Sequence, residues 1–512
     1  MTTSVAKAKR SENALDRETL VVAGVVVLGV VMSILDTTIV NVALDRLSRD
    51  LRAPLDTIQW VSTGYLLSLA AVIPLAGWMS ERFGSKRVWM VSVALFGLGS
   101  ALCGLATSAG MLIFFRILQG LGGGMIMPVS MSVLAQTAGP QRVGRVMSVI
   151  GVPMILGPAL GPVIGGLIVD GASWRWIFYV NLPIAVVALV LARRVLPPDV
   201  GRADAGRLDW VGLALLSPGL AGIVFGLSET ESHGGIDDPI AFAPILAGLL
   251  LVALFIRHGL RAARPLIDLR LFRSRVFGAA AATVFLLGAA LFGALLVIPL
   301  YYQVARGQSA LTAGLLMAPQ GVGAALTMPL AGRLTDRVGG GPVVAVGCAV
   351  MALATLPLAW VGAGTSFALL AATLVVRGMG LGAAMMPAIA AATATLRPGD
   401  VPRATAALNV LQRIGGSLGT AALAVVLQHE IRDRLTGTGG GPGGPLEPVP
   451  PGMRAHLAGP LSAAFGDTFL WVAAMTMVAI APAVLLALAE RAGRAGRTAG
   501  PDRGRQRRPI AG

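Results

Sequence analysis

Residues 20–44 read LVVAGVVVLGVVMSILDTTIVNVAL. A helix rising about 1.5 Å per residue needs about 20 apolar residues to cross a bilayer, and this run is long enough. It carries one charged residue, Asp36. A carboxylate at the centre of a membrane helix costs roughly 2.5–3.5 kcal/mol on insertion scales, so a chain that keeps one there usually uses it. Burial favours the protonated form of such a group, and a neighbouring arginine favours the ionised form. Apart from Asp209 at the very first position of the seventh span, Asp36 is the only acid inside any span predicted below, which makes it the expected place for exchange of a proton against a cargo.

The rest of the chain belongs to the same solvent. Of 512 residues, 55% are hydrophobic and 13% charged, against about 25% charged in soluble proteins. The net charge of +16 would suit nucleic acid, but the basic residues sit in short segments between apolar runs, as membrane topology requires. No nucleic-acid partner is expected; the partners implied are the lipid bilayer, protons and a small molecule. Cys103 and Cys348 both lie in apolar runs and are read as packing residues, not as a disulfide framework. The polar N-terminus leads into a run too long for a signal-peptide core, so it is expected to be retained.

Fourteen spans are predicted: 20–41, 57–79, 88–107, 110–134, 146–168, 176–195, 209–228, 240–257, 276–300, 312–332, 342–361, 366–388, 404–427 and 468–489. With the N-terminus inside, 30 of the 41 Lys and Arg fall in cytoplasmic segments or at their margins, 8 fall outside, and Arg116, Arg377 and Arg413 lie within spans. That bias places both termini in the cytoplasm of a multi-pass plasma (inner) membrane protein.

The chain repeats itself. GWMSERFGSKR (77–87) follows the second span and GRLTDRVGGG (332–341) the tenth. A later span in each case carries an arginine before a glycine pattern: Arg116 with LQGLGGG (118–124), Arg377 with GMGLG (378–382). Two copies in matching order imply two six-helix halves, an architecture of secondary transporters with the site between the halves. The expected division is a cytoplasmic tail 1–19, an N-terminal half 20–195, a two-helix insertion 209–257, a cytoplasmic amphipathic linker 258–275 lying along the membrane surface, a C-terminal half 276–489 and a basic tail 490–512. Residues 428–467 form the longest outer loop, whose middle, TGTGGGPGGPLEPVPPG, is expected to be flexible.

These features, in this order, resemble the fourteen-helix drug:proton antiporters of the major facilitator superfamily. The resemblance covers nearly the whole chain. It rests on LDTTIVNVAL (35–44), GWMSERFGSKR, Arg116 to Gly124, GPALGPVIGG (157–166), WRWIFYVNLPI (174–184), PLIDLRLF (265–272) and the loop from Tyr301 to Gly314. It implies an all-α major facilitator fold, and helices 1 and 4 side by side, so that Asp36 and Arg116, at similar depth, serve proton coupling. The alternative reading of Arg116 is a structural clamp on backbone carbonyls.

The resemblance also implies a conformational latch from Gly77, Glu81, Arg82, Gly84 and Arg87, with Asp336 and Arg337 in the second copy. The family pattern has Asp where this chain has Glu81; the charge is kept and the reach is longer. The same charges also satisfy plain topology. In span 5, Gly157, Pro158, Gly161, Pro162, Gly165 and Gly166 fall on about three turns, where small residues admit a close neighbour and proline bends the rod. In the resembling family this series marks exporters, although tight packing alone would also explain it.

A pocket for apolar cargo calls for aromatic, Met and a few polar residues. Candidates are Trp60, Tyr65, Gln119, Met125, Met127, Met154, Tyr301, Tyr302, Gln320, Asn409 and Gln412. Arg377 and Arg413, without an acid in their own spans, are expected to be structural or to line the cavity. The four His residues are spread outside the spans and no GxxxxGK[ST] loop occurs, so neither a metal site nor ATP-driven pumping is indicated. No cofactor and no enzymatic activity are expected. The reading is proton-driven efflux of amphipathic or hydrophobic compounds such as antibiotics. The alternatives are a dedicated exporter of one natural product, lipid or metabolite and, from another class, a non-transporting membrane sensor. Nothing in the sequence sets the oligomeric state, and a monomer is sufficient.

The topology yields a first prediction. Labels at Ser4 and Arg503 should react only from the cytoplasm and a label at Gly441 only from outside. An intracellular Gly441 would overturn the fourteen-span count.

Overall fold

A membrane offers no water to unpaired backbone groups, so apolar runs of this length must satisfy their own hydrogen bonds as helices. The computed structural model describes residues 17–138, 142, 145–146, 157, 161, 164–168, 171–199, 206–232, 239–263, 265–397, 399–435 and 451–498, and no strand occurs among them. The N-terminal set is α1 (Arg17–Leu51), α2 (Leu55–Val72), α3 (Leu75–Phe83), α4 (Ser85–Gly104), α5 (Ala109–Ala138) and α6 (Asn181–Val195). Two helices follow, α7 (Trp210–Ser232) and α8 (Pro239–Arg261). The C-terminal set is α9 (Arg275–Leu300), α10 (Ala310–Val338), α11 (Gly340–Thr355), α12 (Phe367–Ala394), α13 (Val401–Leu435), α14 (Pro451–Val478) and α15 (Ile480–Thr498).

Among the described residues, eleven helical stretches are long and apolar enough to cross a membrane on their own. The second predicted span is the pair α2 and α3, bent by 55° at Pro74, whose ring and missing N–H interrupt the hydrogen-bond ladder. The seventh is the shorter apolar stretch Trp210–Gly226 of α7. Most of the fifth, 146–168, lies outside the described residues, and with it Met154, Pro158 and Pro162. The all-helical fold of fourteen spans is therefore accounted for, apart from that fifth span.

Two stretches depart from the sequence reading. α1 continues beyond Leu44 to Leu51, since nothing in DRLSRDL breaks a helix. Helices enter the 428–467 loop from both sides, to Leu435 and from Pro451, and an Arg434–Asp467 ion pair joins them; residues 436–450 lie outside the described set. In the linker, Leu266 and Ile267 are buried in the protein core, and Asp268 caps a short 3-10 turn, Leu269–Arg273.

The two halves carry the same device at matching places. Gly84 (φ +91°) and Gly339 (φ +99°) adopt backbone that only glycine enters freely. Each precedes a helix whose first N–H groups are taken by a carboxylate arriving from the last span of its half. Asp199 accepts from the amides of Lys86 (2.8 Å) and Arg87 (2.9 Å). Glu490 accepts from those of Gly340 (3.1 Å) and Gly341 (2.9 Å). Helix N-termini carry unpaired donors and partial positive charge, so a carboxylate there is stabilising.

α7 and α8 pack on one another, and α7 also touches α2 and α13, one helix from each half. Only 17% of the α8 span is buried, against 61% for α5 and 67% for α9, which puts α8 at the rim and α5 and α9 at the centre. One large apolar core joins both halves at the end of the bundle where α1 begins and α15 ends, the termini end. At the other end each half closes on a core of its own, around Ile39, Val61 and Leu112 in one and Tyr301, Leu427 and Phe465 in the other. Polar contacts agree: Ser132 and Thr405 hydroxyls meet across the halves at 2.6 Å, and Asn409 Nδ2 reaches Met131 Sδ at 3.4 Å. The bundle is sealed at its termini end.

That seal is directly testable. In a background with Cys103 and Cys348 replaced by Ser, Ser132→Cys/Thr405→Cys should cross-link on mild oxidation and halt transport until reductant is added. Full transport by the cross-linked protein would mean that the seal does not open during the cycle.

Candidate functional site

Asp36 sits in the middle of α1 and is 1% exposed. Every acceptor it offers is engaged. Arg116 on α5 donates through a terminal guanidinium nitrogen to Oδ2 at 2.6 Å. Gln119 Nε2 and Asn181 Nδ2 each donate to Oδ1 at 2.9 Å. Arg116, also 1% exposed, donates further to Gln119 Oε1 (2.8 Å) and, through Nε, to the Val61 carbonyl of α2 (3.1 Å). Its guanidinium lies 4.0 Å from the centre of the Tyr65 ring, a cation–π distance. Asn181 is steadied by Ser100 (3.0 Å), which donates to the Phe178 carbonyl at 2.9 Å. Four elements, α1, α2, α5 and α6, thus meet at one carboxylate.

The glycines of the fifth span flank that carboxylate. A Cβ at Gly157 would collide with Ile34, and one at Gly161 with Thr38; one at Gly165 would stand only 3.2 Å from Ile39, tighter than ordinary contact. Gly166 faces open space. The fifth span can therefore lie backbone-close against α1 on both sides of Asp36.

Between the halves is a cavity of about 170 Å³. Of the predicted residues, Met127, Gln320, Asn409 and Gln412 line it, and so does Arg413. Trp60 does not: it is 41% exposed and stacks on Phe225 of α7 at 5.6 Å. Tyr65 and Gln119 belong to the ion-pair network. Met125 is in the joined core. Tyr301 and Tyr302 lie in the second half's own core, at the end away from the seal, on a π-helical turn, Tyr301–Ala305, that ends α9. Arg377 is fully buried, with no acid pairing with it among the described residues. It donates to Gln320 Oε1 (2.5 Å), Thr355 Oγ1 (3.3 Å) and the Ala290 carbonyl (3.5 Å).

At the termini end the two signature loops each reach across the halves. Glu81 pairs with Arg403 of α13 at 2.8 Å, and Asp336 with Arg145 at 2.7 Å. Gly77 lets the α3 backbone ride on Arg403, where a Cβ would stand 3.0 Å from the arginine Cα. Arg87 Nε is 3.9 Å from Asp199, while Arg82 and Arg337 are exposed.

Sequence reasoning passed over Asn181, Ser100, Asp199, Glu490, Arg145 and Arg403. Asn181 carried a signal, a lone amide inside a span and within a quoted motif. The basic pair had been counted only as topology. Asp199 and Glu490, as acids at the exits of the sixth and fourteenth spans, could have been found by aligning the two halves.

A two-half helical bundle, sealed at one end around a buried acid and a central cavity, defines a membrane transporter and not an enzyme. The chain belongs to the Major Facilitator Superfamily, whose family model matches residues 26–420. It is 41% identical over 490 residues to the multidrug resistance protein B homolog of Mycobacterium tuberculosis (strain ATCC 25618 / H37Rv), covering 92% of this chain and 91% of that one. It is 30% identical over 427 residues to the multidrug transporter protein MdtP of Bacillus subtilis (strain 168), covering 83% and 78%. Its fold matches that of the proton:xylose symporter XylE with a TM-score of 0.61 at 15% identity, covering 91% of this chain and 95% of that one.

The gate pairs generate a prediction. Glu81→Gln and Arg403→Gln should each slow transport several-fold at unchanged membrane abundance, since couplings in such switches run about 1–3 kcal/mol. The double variant should be no slower than the slower single. Independent, multiplying effects would show that the two side chains do not act as a pair.

Proposed function

We propose that this protein exports amphipathic or hydrophobic compounds, antibiotics among them, across the plasma membrane in exchange for entering protons, with Asp36 as the proton carrier. The observation that carries the reading is the Asp36–Arg116 pair, sealed at 2.6 Å among hydrogen-bond partners from α2, α5 and α6. Protonating that carboxylate removes the negative partner of a buried guanidinium, and the new O–H becomes a donor among donors. Arg116, Gln119 and Asn181 must then find other acceptors, and the packing of α1 against α5 and α6 has to change. A proton is thereby converted into a shift between two arrangements of the halves.

The names of the relatives support drug export as the task. The distribution of Lys and Arg supports cytoplasmic termini, so the sealed end is the cytoplasmic one and this state faces outward. From the outside, the more acidic compartment, Asp36 takes its proton; facing inward, it releases the proton and cargo enters. The glycines packed against Ile34 and Thr38 keep water from the pair during the change. Glu81, Arg403, Asp336 and Arg145 hold the outward-facing state by latching the cytoplasmic ends. One chain supplies both halves and works as a monomer.

Vesicle transport at matched expression tests the carrier. Asp36→Asn should still bind cargo yet fail to accumulate it in response to an imposed pH gradient, and Asp36→Glu should keep part of the activity with a shifted pH profile. Gradient-proportional accumulation by Asp36→Asn would place the proton elsewhere.

A further inference from the structure

The central cavity is electrically one-sided. Among its described lining residues there is no Asp or Glu, and the charged one is Arg413 of α13. Asp36 does not balance that charge, because its oxygens are engaged by Arg116, Gln119 and Asn181. Arg413 is half-buried and has no hydrogen bond or ion pair among the described residues. A guanidinium has donors only, and in a site of low dielectric an unpaired one is costly until an acceptor arrives.

A second wall residue points the same way. Arg377, behind the cavity, also offers only donors, so its 2.5 Å bond to Gln320 fixes the carboxamide with Oε1 toward Arg377. The Gln320 Nε2 donors are left unspent by that bond, and Gln320 lines the cavity. The amide of Asn409 is already committed to the Thr405 carbonyl (2.9 Å) and Met131 Sδ (3.4 Å). Around the polar corner the wall is apolar: Ile34, Leu69, Met127, Leu291, Phe292 and Leu295.

We infer that the preferred cargo is an anionic amphipath, with an apolar body against that wall and a carboxylate or similar oxyanion received by Arg413 and the Gln320 amide. The inference rests on the efflux reading and narrows it. Cargo of this charge does not compete with the proton for Asp36, so coupling passes through the change in the Asp36–Arg116 pair and not through displacement at one shared carboxylate. Export of an anion against proton entry also moves charge in the direction an inside-negative potential drives.

The test is binding to the full-length protein in nanodiscs of three probes on one arylalkyl scaffold: the carboxylate, its methyl ester and its trimethylammonium counterpart. Wild type should bind the carboxylate about tenfold or more tightly than the ester, and the ammonium compound most weakly. Arg413→Gln should remove the preference while keeping ester affinity within about twofold, and Arg413→Lys should retain most of it. Unchanged ester binding, with an unchanged melting temperature, shows that the variants are folded. Equal affinities in wild type, an ammonium preference, no binding of any probe, or a carboxylate preference that survives Arg413→Gln would each overturn the inference. The efflux reading is separate: it stands or falls on gradient-driven transport through Asp36, whatever the cargo's charge.

Discussion

A carboxylate and a guanidinium placed in hydrocarbon must satisfy each other and every remaining lone pair and N–H, because no water will. That constraint organises the first half. Asp36 has more acceptor capacity than one arginine fills, and Gln119 and Asn181 take up the rest. Arg116 has more donors than one carboxylate absorbs, and Gln119 and the Val61 carbonyl take those. Each added partner lies on a different element, so satisfying one ion pair fixes how α1, α2, α5 and α6 meet. Removing either charge from such a pair costs roughly 3–5 kcal/mol, mostly because the other is left stranded.

The second half repeats the fold without repeating the chemistry. Arg377 stands at the same place in its motif as Arg116, yet it bonds neutral oxygens of Gln320, Thr355 and Ala290. The capping device is shared: Gly84 with Asp199, Gly339 with Glu490. The repeat therefore preserves what sets helix placement, while the titratable group is confined to one half.

That division explains what could be read from the sequence. Spans were legible because a bilayer permits few solutions to an apolar run, and the halves because GWMSERFGSKR and GRLTDRVGGG recur in order. Asp36 and Arg116 stood out because a charge in a span is costly and rare. Contacts across the chain were not legible. Arg403 as the partner of Glu81, and Asn181 as the third donor to Asp36, depend on how distant helices dock, and neither has a periodic signature. The cavity list fared similarly: Met, Tyr and Trp are as ready to fill a core or face lipid as to meet cargo. Trp60 stacks on Phe225, and Tyr302 sits in the second half's own core.

The two tiers of ion pairs suit a molecule that must change state. Glu81–Arg403 and Asp336–Arg145 lie near water, with side chains 6–17% exposed, so water can solvate their charges once the halves part. The Asp36–Arg116 pair has no such recourse. Moving a two-state equilibrium from 1:99 to 99:1 takes about 5.5 kcal/mol, and the loss of one buried pair, roughly 3–5 kcal/mol, covers most of that. On the proposed coupling, a single proton at Asp36 is comparable in effect to the whole conformational bias, provided the seal it works against is made of contacts that are each weak. The seal has that character: a hydroxyl pair, two partly exposed ion pairs and an apolar core shared by both halves. A stronger gate would need more than one proton to open it, and a looser pair at Asp36 would let the halves move without one.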